Sequence, residues 1–309
     1  MTGAAGSAVV FAYSEVGVRG LAALLAAGID VRLVVTHEDD PQEQSWFASV
    51  AELARLHGIP VIAPPDANVE SVVQQVQGAD ADFLFSLYYR QLLGAELLAG
   101  ARRGAYNLHG SLLPRYRGRA PLNWAIINGE TQTGVTLHRM TLRADAGAVV
   151  DRQAVAILPN DTALDVARKI ACAAEALLLR SVPALLDGSA TEQPQDAAAA
   201  SYFGRRTPAD GRIDWSQPAR AVHDLIRAVA PPFPGAFTDI PAGRLLLLGS
   251  YYRGLPALGR GPRLYVQDDV FWVDCRDGER IRVLGLRLRD AALEASGFRA
   301  LFGAELVLS

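Results

Sequence analysis

Lysine is nearly absent from this chain: Lys169 is the only one, so arginine supplies the rest of the 30 basic side chains. With so much alanine beside it, this is a bias of composition, and a lone arginine is weak evidence of function. Cysteine is scarce as well. Cys172 and Cys275 have neither metal-ligand spacing nor the numbers for a disulfide framework. Cys172, in an Ala/Leu-rich helical stretch, is expected to be a small buried residue. The five histidines include no His-x-His or His-x-x-x-His pair, and no metal is expected. His37, His57 and His223 fit structural roles. A strong charge of one sign is also missing: a net charge of -3 does not suggest a nucleic-acid or membrane-surface partner. No apolar run is long enough to span a bilayer, and no secretory leader pattern is present. Membrane insertion is therefore not expected, and a soluble, reducing cytoplasm is the default.

What is present is apolar material, 50% of 309 residues, enough for a large core and two domains. Over the first ~200 residues buried-type strands alternate with amphipathic helices. Strands are expected at 8–13, 31–35, 60–62 and 83–86, and helices at 18–27, 44–56 and about 69–76, with Gly28 and Gly58 closing the first two. Residues 134–140 and 148–155 read as later strands. A long helix starts at Thr162, and Pro183 should bend or end it before Gly188. This order predicts an α/β, doubly wound, mostly parallel sheet. Residues 13–20 follow the first strand and supply Gly17 and Gly20, but no Gly-x-Gly-x-x-Gly fingerprint. Those glycines are expected to permit a tight turn and close helix–strand packing. After Gly204 the pattern changes to short apolar runs at 244–248, 264–266, 270–273 and 281–284, separated by Gly, Pro and Asp, as in a small β-rich domain. The expected domains are residues 1–203 and 204–309. Ala197 to Ala200 reads as a link without evident chemical meaning.

The most informative segment is residues 107–114, Asn-Leu-His-Gly-Ser-Leu-Leu-Pro. On an extended segment Asn107 and His109 project to the same face, offering a hydrogen-bond donor and a proton carrier to one reacting centre. Asp145, in Arg143-Ala144-Asp145-Ala146-Gly147, adds a carboxylate from a second polar loop. Asn, His and Asp are sufficient for acyl transfer without a covalent intermediate. His138, in Thr136-Leu137-His138-Arg139-Met140, is open between packing and substrate contact.

These residues resemble the signature of the folate-dependent formyltransferases, a group that includes glycinamide-ribonucleotide, methionyl-tRNA and sugar-nucleotide enzymes. The run through Arg119-Ala120-Pro121-Leu122-Asn123-Trp124, Asn128-Gly129-Glu130 and residues 133–140, with Phe203-Gly204-Arg205-Arg206-Thr207-Pro208, narrows the resemblance. It is similar to the UDP-4-amino-4-deoxy-L-arabinose formyltransferase domain of bifunctional polymyxin-resistance enzymes, which serves lipid A modification. The resemblance implies a Rossmann-like catalytic domain with an OB-like C-terminal domain, 10-formyltetrahydrofolate as formyl donor without a metal, and an aminosugar nucleotide as partner. It implies Asn107, His109 and Asp145 as catalytic residues. It implies that the backbone at Gln91, Leu92 and Leu93 and the loop Thr141, Leu142, Arg143, Ala144 and Asp145 hold the pterin of the folate, and it matches Arg119 to a folate-contacting position. It also implies that residues 111–119 act as a mobile lid. Tyr88, Tyr89 and Arg90 fit either the core or a pterin wall, and Arg205, Arg206 and Thr207 match positions near the substrate. Unlike the bifunctional enzymes, the sequence shows no second, dehydrogenase-like domain, which fits a stand-alone enzyme or an excised domain.

The implied chemistry is attack of a neutral amine on the formyl carbon. Asn107 and a cationic His109 would stabilise the oxyanion, His109 would protonate the departing N10, and Asp145 would orient His109 and take up the amine's proton. Formylation of another aminosugar nucleotide, or of methionyl-tRNA, uses the same three residues. From Arg205 onward 15 arginines face 12 acidic residues, an excess too mild for a surface built for tRNA phosphates. A dinucleotide oxidoreductase is opposed by the missing glycine fingerprint, and a non-catalytic sugar-nucleotide module by the intact Asn, His and Asp. The residues assign no oligomeric state.

Overall fold

In the computed structural model, which describes residues 6–38 and 47–308, the alternating pattern of the first ~200 residues becomes a seven-stranded sheet. Its strands are β1 (Ser7–Ala12), β2 (Asp30–Val35), β3 (Val61–Ile62), β4 (Phe83–Leu87), β5 (Gly104–His109), β7 (Gln132–Arg139) and β8 (Val149–Ala156), in the order β3-β2-β1-β4-β5-β7-β8. A two-stranded ribbon pairs β6 (Arg117–Gly118) with β9 (Tyr202–Phe203). Strands β1 to β5 run parallel, and β7 lies antiparallel to β5. Every residue of β1 and β4 is buried, which explains their unbroken apolar sequences: a strand covered on both faces does not alternate. The expected α/β, mostly parallel architecture is present.

The connecting helices are α1 (Ser14–Ala26), α2 (Val50–Leu56), α3 (Glu70–Gly78), α4 (Ala95–Ala99), α5 (Pro121–Ile127) and α6 (Ala163–Asp187). Helix α1 starts four residues before the expected position, because the chain reverses in one step at Ser14, φ 63°. Gly17 and Gly20 therefore lie inside a helix and not in a turn. Their packing role holds: a Cβ on Gly20 would come within 2.8 Å of Leu87 Cδ1. Helix α2 begins at Val50, where Ser49 accepts the Glu52 N–H at 3.3 Å; the expected start at Gln44 lies outside the described residues. Helix α6 continues through Pro183 and ends at Asp187, immediately before Gly188. Burial of Val182 and Leu185 offsets the lost hydrogen bond, a cost of about 3 kcal/mol or more. Cys172, on the same helix, is exposed and not buried as expected; in an Ala/Leu-rich helix the apolar face is poorly marked.

The chain forms two compact units. One comprises Met1–Pro121, Thr133–Val155 and Ala167–Gly204; the other comprises Leu122–Gln132, Ala156–Val166 and Arg205–Ser309. The second unit holds helices α7 (Ala219–Ala228) and α8 (Ala295–Phe302) and the strands β10 (Ala236–Ile240), β11 (Gly243–Pro256), β12 (Arg263–Gln267), β13 (Val270–Asp274), β14 (Glu279–Leu288), β15 (Ala291–Ala292) and β16 (Glu305–Val307). Its sheet is antiparallel throughout, in the order β10-β11-β14-β13-β12-β16, with β15 beside β14. Leu245, Leu247, Val273, Ile281 and Phe298 lie in its core together with Val222 and Ile226 of α7. The four apolar runs after Gly204 all fall on these strands.

Helix α7 also buries polar groups. Arg227, 1% exposed, pairs with Asp224 at 2.7 Å and donates to the carbonyls of Leu158 and Asp161. His223 is fully buried: its Nε2–H donates to the Pro159 carbonyl at 2.9 Å, and its Nδ1 accepts from the Ser250 hydroxyl at 2.8 Å. A neutral imidazole satisfies both contacts, and burial pushes its pKa down to about 4 from 6.5. Between those values the unfolded chain binds the proton more tightly, so stability falls as pH drops from about 6.5 towards 4 and levels off below. The loss attributable to His223 is roughly 3 kcal/mol, at about 1.4 kcal/mol per unit. Urea unfolding of the protein and of His223→Gln at pH 7 and pH 4.5 checks this. The variant should lose less stability between the two pH values than the parent, and equal losses would remove His223 as the cause.

Candidate active site

Parallel sheets bind ligands beyond the carboxyl ends of their strands, and β4 and β5 end side by side, with Ser86 paired to Asn107 and Leu87 to Leu108. Two residues apart on β5, Asn107 and His109 share a face. The antiparallel neighbour β7 brings His138 opposite Asn107 in register. Asp145 arrives from the loop between β7 and β8 at φ 54°, a backbone region that aspartate enters more readily than most residues.

The four side chains meet. Asn107 Nδ2 is 3.0 Å from His138 Nε2, His109 Nδ1 is 3.4 Å from Asp145 Oδ1, and His138 Nε2 is 3.6 Å from the same oxygen. The other carboxylate oxygen, Oδ2, accepts the Gly118 N–H at 2.8 Å. Gly118 takes φ 94° in β6, and a Cβ there would collide with the carbonyl oxygen of Phe203, so glycine is required for this donor to reach Asp145. His138 Nδ1–H donates to the Arg139 carbonyl at 2.9 Å, which leaves Nε2 as acceptor for one N–H of the Asn107 amide. The second N–H of that amide remains for a ligand.

Burial raises the pKa of Asp145, but His138, His109 and the Gly118 N–H more than offset this and hold the carboxyl at about 2. It is therefore ionised at every working pH. His109, 7% exposed, faces acceptors on both sides, since its Nε2–H donates to the Tyr116 carbonyl at 2.8 Å and Nδ1 faces Asp145. Only the imidazolium satisfies both, yet burial outweighs Asp145 and Tyr116 and lowers the pKa. The resting ring is neutral near pH 7. A carboxyl at about 2 is a weak base for an amine's proton.

Asn107, His109, His138 and Asp145 line a cavity of about 360 Å³. Leu92 and Leu142, 70% and 75% exposed, also line it, with Tyr88 and Met140. Of the positions expected to contact the folate, Gln91, Leu92, Leu93, Arg119, Thr141, Leu142, Ala144 and Asp145 all line the cavity. The side chain of Gln91 is occupied elsewhere, accepting from the Ala67 N–H and donating to the Pro65 carbonyl. Arg143 is not a lining residue; it lies over the Tyr202 ring and donates to the Tyr202 hydroxyl. Tyr88 and Tyr89 both line the cavity. Tyr89 also stacks on His37, ring centroids 4.2 Å apart, so it belongs to the core as well.

The loop 111–119 is not an exposed lid. Ser111, Leu113, Tyr116 and Arg117 are buried, and Arg117 and Gly118 are paired with β9. Its role is to deliver the Tyr116 carbonyl and the Gly118 N–H, backbone groups that no side-chain pattern announces. Ser111 donates to the Arg115 carbonyl at 2.6 Å, so it is not a nucleophile paired to His109. Among the described residues no group of three or more His, Cys, Asp or Glu is placed to hold a metal ion, and no helix is long and apolar enough to cross a membrane. The arrangement can donate a hydrogen bond to a developing oxyanion and carry one proton on a buried imidazole.

Comparison with known proteins gives a family and a fold. A family model described as formyl transferase matches residues 9–182, and one described as formyl transferase, C-terminal domain, matches residues 205–299. Among solved structures the chain is similar to the N-formyltransferase from Helicobacter canadensis in complex with folinic acid and dTDP-3-aminofucose, with 21% identity over 90% of this chain and 98% of that chain and a TM-score of 0.71. It is similar to WlaRD, a sugar 3N-formyltransferase solved in the presence of dTDP and 5-N-formyl-THF, with 21% identity over 91% of this chain and 98% of that chain and a TM-score of 0.71. HypX from Aquifex aeolicus in complex with tetrahydrofolic acid matches at 18% identity over 96% of this chain and 46% of that chain, with a TM-score of 0.65. At these identities the likeness is one of fold.

The electrostatics can be read without substrate. In an NMR titration of the histidine rings, His109 should titrate below 6.5. Asp145→Asn should move it lower still, because the lost charge is one that favours the imidazolium. Titration above 6.5, or no movement in the variant, would contradict the described balance.

Proposed function

The chain belongs to the formyl transferase family, and we propose that it moves a formyl group from 10-formyltetrahydrofolate to the amine of a nucleotide-linked aminosugar. The observation that carries this is the meeting of Asn107, His109 and Asp145 in a cavity that Leu92, Leu93, Met140 and Leu142 also line. Leu92, Met140 and Leu142 suit a flat heterocycle, and reduced folates and dTDP sugars are named with the similar proteins. Within this class the run from Arg119 to Gly147 favours UDP-4-amino-4-deoxy-L-arabinose, and with it a place in lipid A modification. Residues 1–203 are assigned to catalysis and 204–309 to the smaller domain.

The chemistry follows from the charges. The amine nitrogen bonds to the formyl carbon while the carbonyl becomes an oxyanion, and the second N–H of the Asn107 amide donates to that oxygen. Neutral His109 takes the proton that the amine sheds. It becomes the imidazolium that its two acceptors, Asp145 and the Tyr116 carbonyl, are placed to hold. The same proton then passes to the departing N10 as the carbon–N10 bond breaks, which restores neutral His109. Asp145 stays ionised throughout. Binding and orientation supply the rest, because a neutral amine needs no activation beyond placement.

Two outcomes test the proposal. Asn107→Ala should fold as the parent and lose about 100- to 1000-fold in kcat, the usual cost of one oxyanion donor; near-normal turnover would remove Asn107 from that role. Mass spectrometry of products from a panel of aminosugar nucleotides and initiator methionyl-tRNA, at equal enzyme and formyl donor, should find formylated UDP-4-amino-4-deoxy-L-arabinose and no formylated tRNA. Comparable turnover on the tRNA would favour the translation enzyme instead.

A further inference from the structure

Residues 188–202 carry no motif, yet they tie together the two loops that build the site. At the centre is Gln195. Its Oε1 accepts from Arg117 Nη2 at 2.7 Å and Nε at 3.2 Å, while its Nε2 donates to the carbonyls of Asp145 at 2.8 Å and Gly147 at 2.7 Å. One side-chain amide thus spends both its donors and its acceptor on joining the loop 111–119 to the loop 141–147. The first loop supplies the Tyr116 carbonyl to His109 and the Gly118 N–H to Asp145, and the second carries Asp145 itself. Arg117 is 3% exposed and donates to the Tyr202 hydroxyl as well, so it is a fixed anchor. The segment is fastened on both sides. Glu192 accepts a two-pronged contact from Arg139 at 2.7 and 2.6 Å, and Ser201 Oγ accepts the Tyr116 N–H at 2.9 Å.

We propose that Gln195 is a positioning residue for formyl transfer, setting the place of Asp145 against His109 by tying the backbone at Asp145 and Gly147 to Arg117. The proposal rests on Asn107, His109 and Asp145 being the reacting groups. Asp145 holds a sparsely populated backbone conformation, φ 54°. Such a conformation persists only where its surroundings enforce it, and Gln195 bonds the carbonyl of that very residue. A displacement of about 1 Å in a catalytic group can cost roughly 100-fold in rate.

Gln195→Met keeps the length of the side chain and removes all four contacts. Gln195→Glu keeps an acceptor for Arg117 and loses the donors to the two carbonyls. Both variants should keep the far-UV spectrum of the parent, lose roughly 10- to 100-fold in kcat, and keep the KM of both substrates within about twofold. The titratable and charged groups facing His109 are Asp145, His138 and Arg117, and of these only Asp145 favours the imidazolium. His109 in Gln195→Met should therefore titrate at lower pH than in the parent, an effect that loss of fold stability alone would not produce. A folded Gln195→Glu protein with the parent's kcat, or a Gln195→Met protein whose His109 titration coincides with the parent's, would overturn the proposal. The titration needs no substrate, so it decides the role of Gln195 even where the parent formylates no aminosugar nucleotide, an outcome that would sink the functional reading alone.

Discussion

A buried carboxylate is costly unless its oxygens are met, and Asp145 accepts the Gly118 N–H at 2.8 Å with the His109 and His138 rings beside it at 3.4 and 3.6 Å, groups drawn from three separate parts of the chain. Much else in the first unit can be understood as what holds these partners in place. The antiparallel turn of β7 against β5 puts His138 opposite Asn107. The β6–β9 ribbon fixes Gly118, whose N–H ends on the carboxylate. The parallel core of β1 and β4, buried on both faces, is the rigid frame from which β5 projects Asn107 and His109.

In the proposed reaction the same carboxylate would govern how a proton moves. Burial favours neutral His109 and outweighs Asp145 and the Tyr116 carbonyl, which favour the charged ring. Those two acceptors would hold the imidazolium that forms when the ring takes up a proton in the proposed reaction. Asp145 at about 2 is a weak base, and in that reaction it would act through its charge. The division of labour between donor, carrier and counter-charge follows from burial and distance.

How much of this could be read from the residues depends on where the information sits. Asn107 and His109 were legible because they lie two apart on one strand, within a distinctive run. Asp145 was legible as the polar residue of a matching loop. The strands of both units were legible because their apolar runs are long or regularly spaced. His138 stayed open, since a histidine on a strand carries no pattern, and its place is a matter of register between β5 and β7. The Tyr116 carbonyl and Gly118 N–H are backbone groups, and Gln195 stands in an unpatterned segment next to four alanines. The expected lid is a packed loop, because burial of Leu113, Tyr116 and Arg117 is a tertiary fact. Pro183 inside α6 and the exposed Cys172 are cases where tertiary packing, or the lack of a clear apolar face, overrode a local rule.

The central claim is that ionised Asp145 tunes the proton on His109 during turnover. It is tested most directly by the pH dependence of kcat for the parent and Asp145→Asn, with both substrates saturating. The substrate amine titrates in both profiles, so the difference between them isolates the coupled pair. The expected result is an acid limb with its midpoint below 6.5 for His109 in the parent, displaced to lower pH in the variant, with a reduced plateau. Two profiles of the same shape, differing only in height, would contradict it.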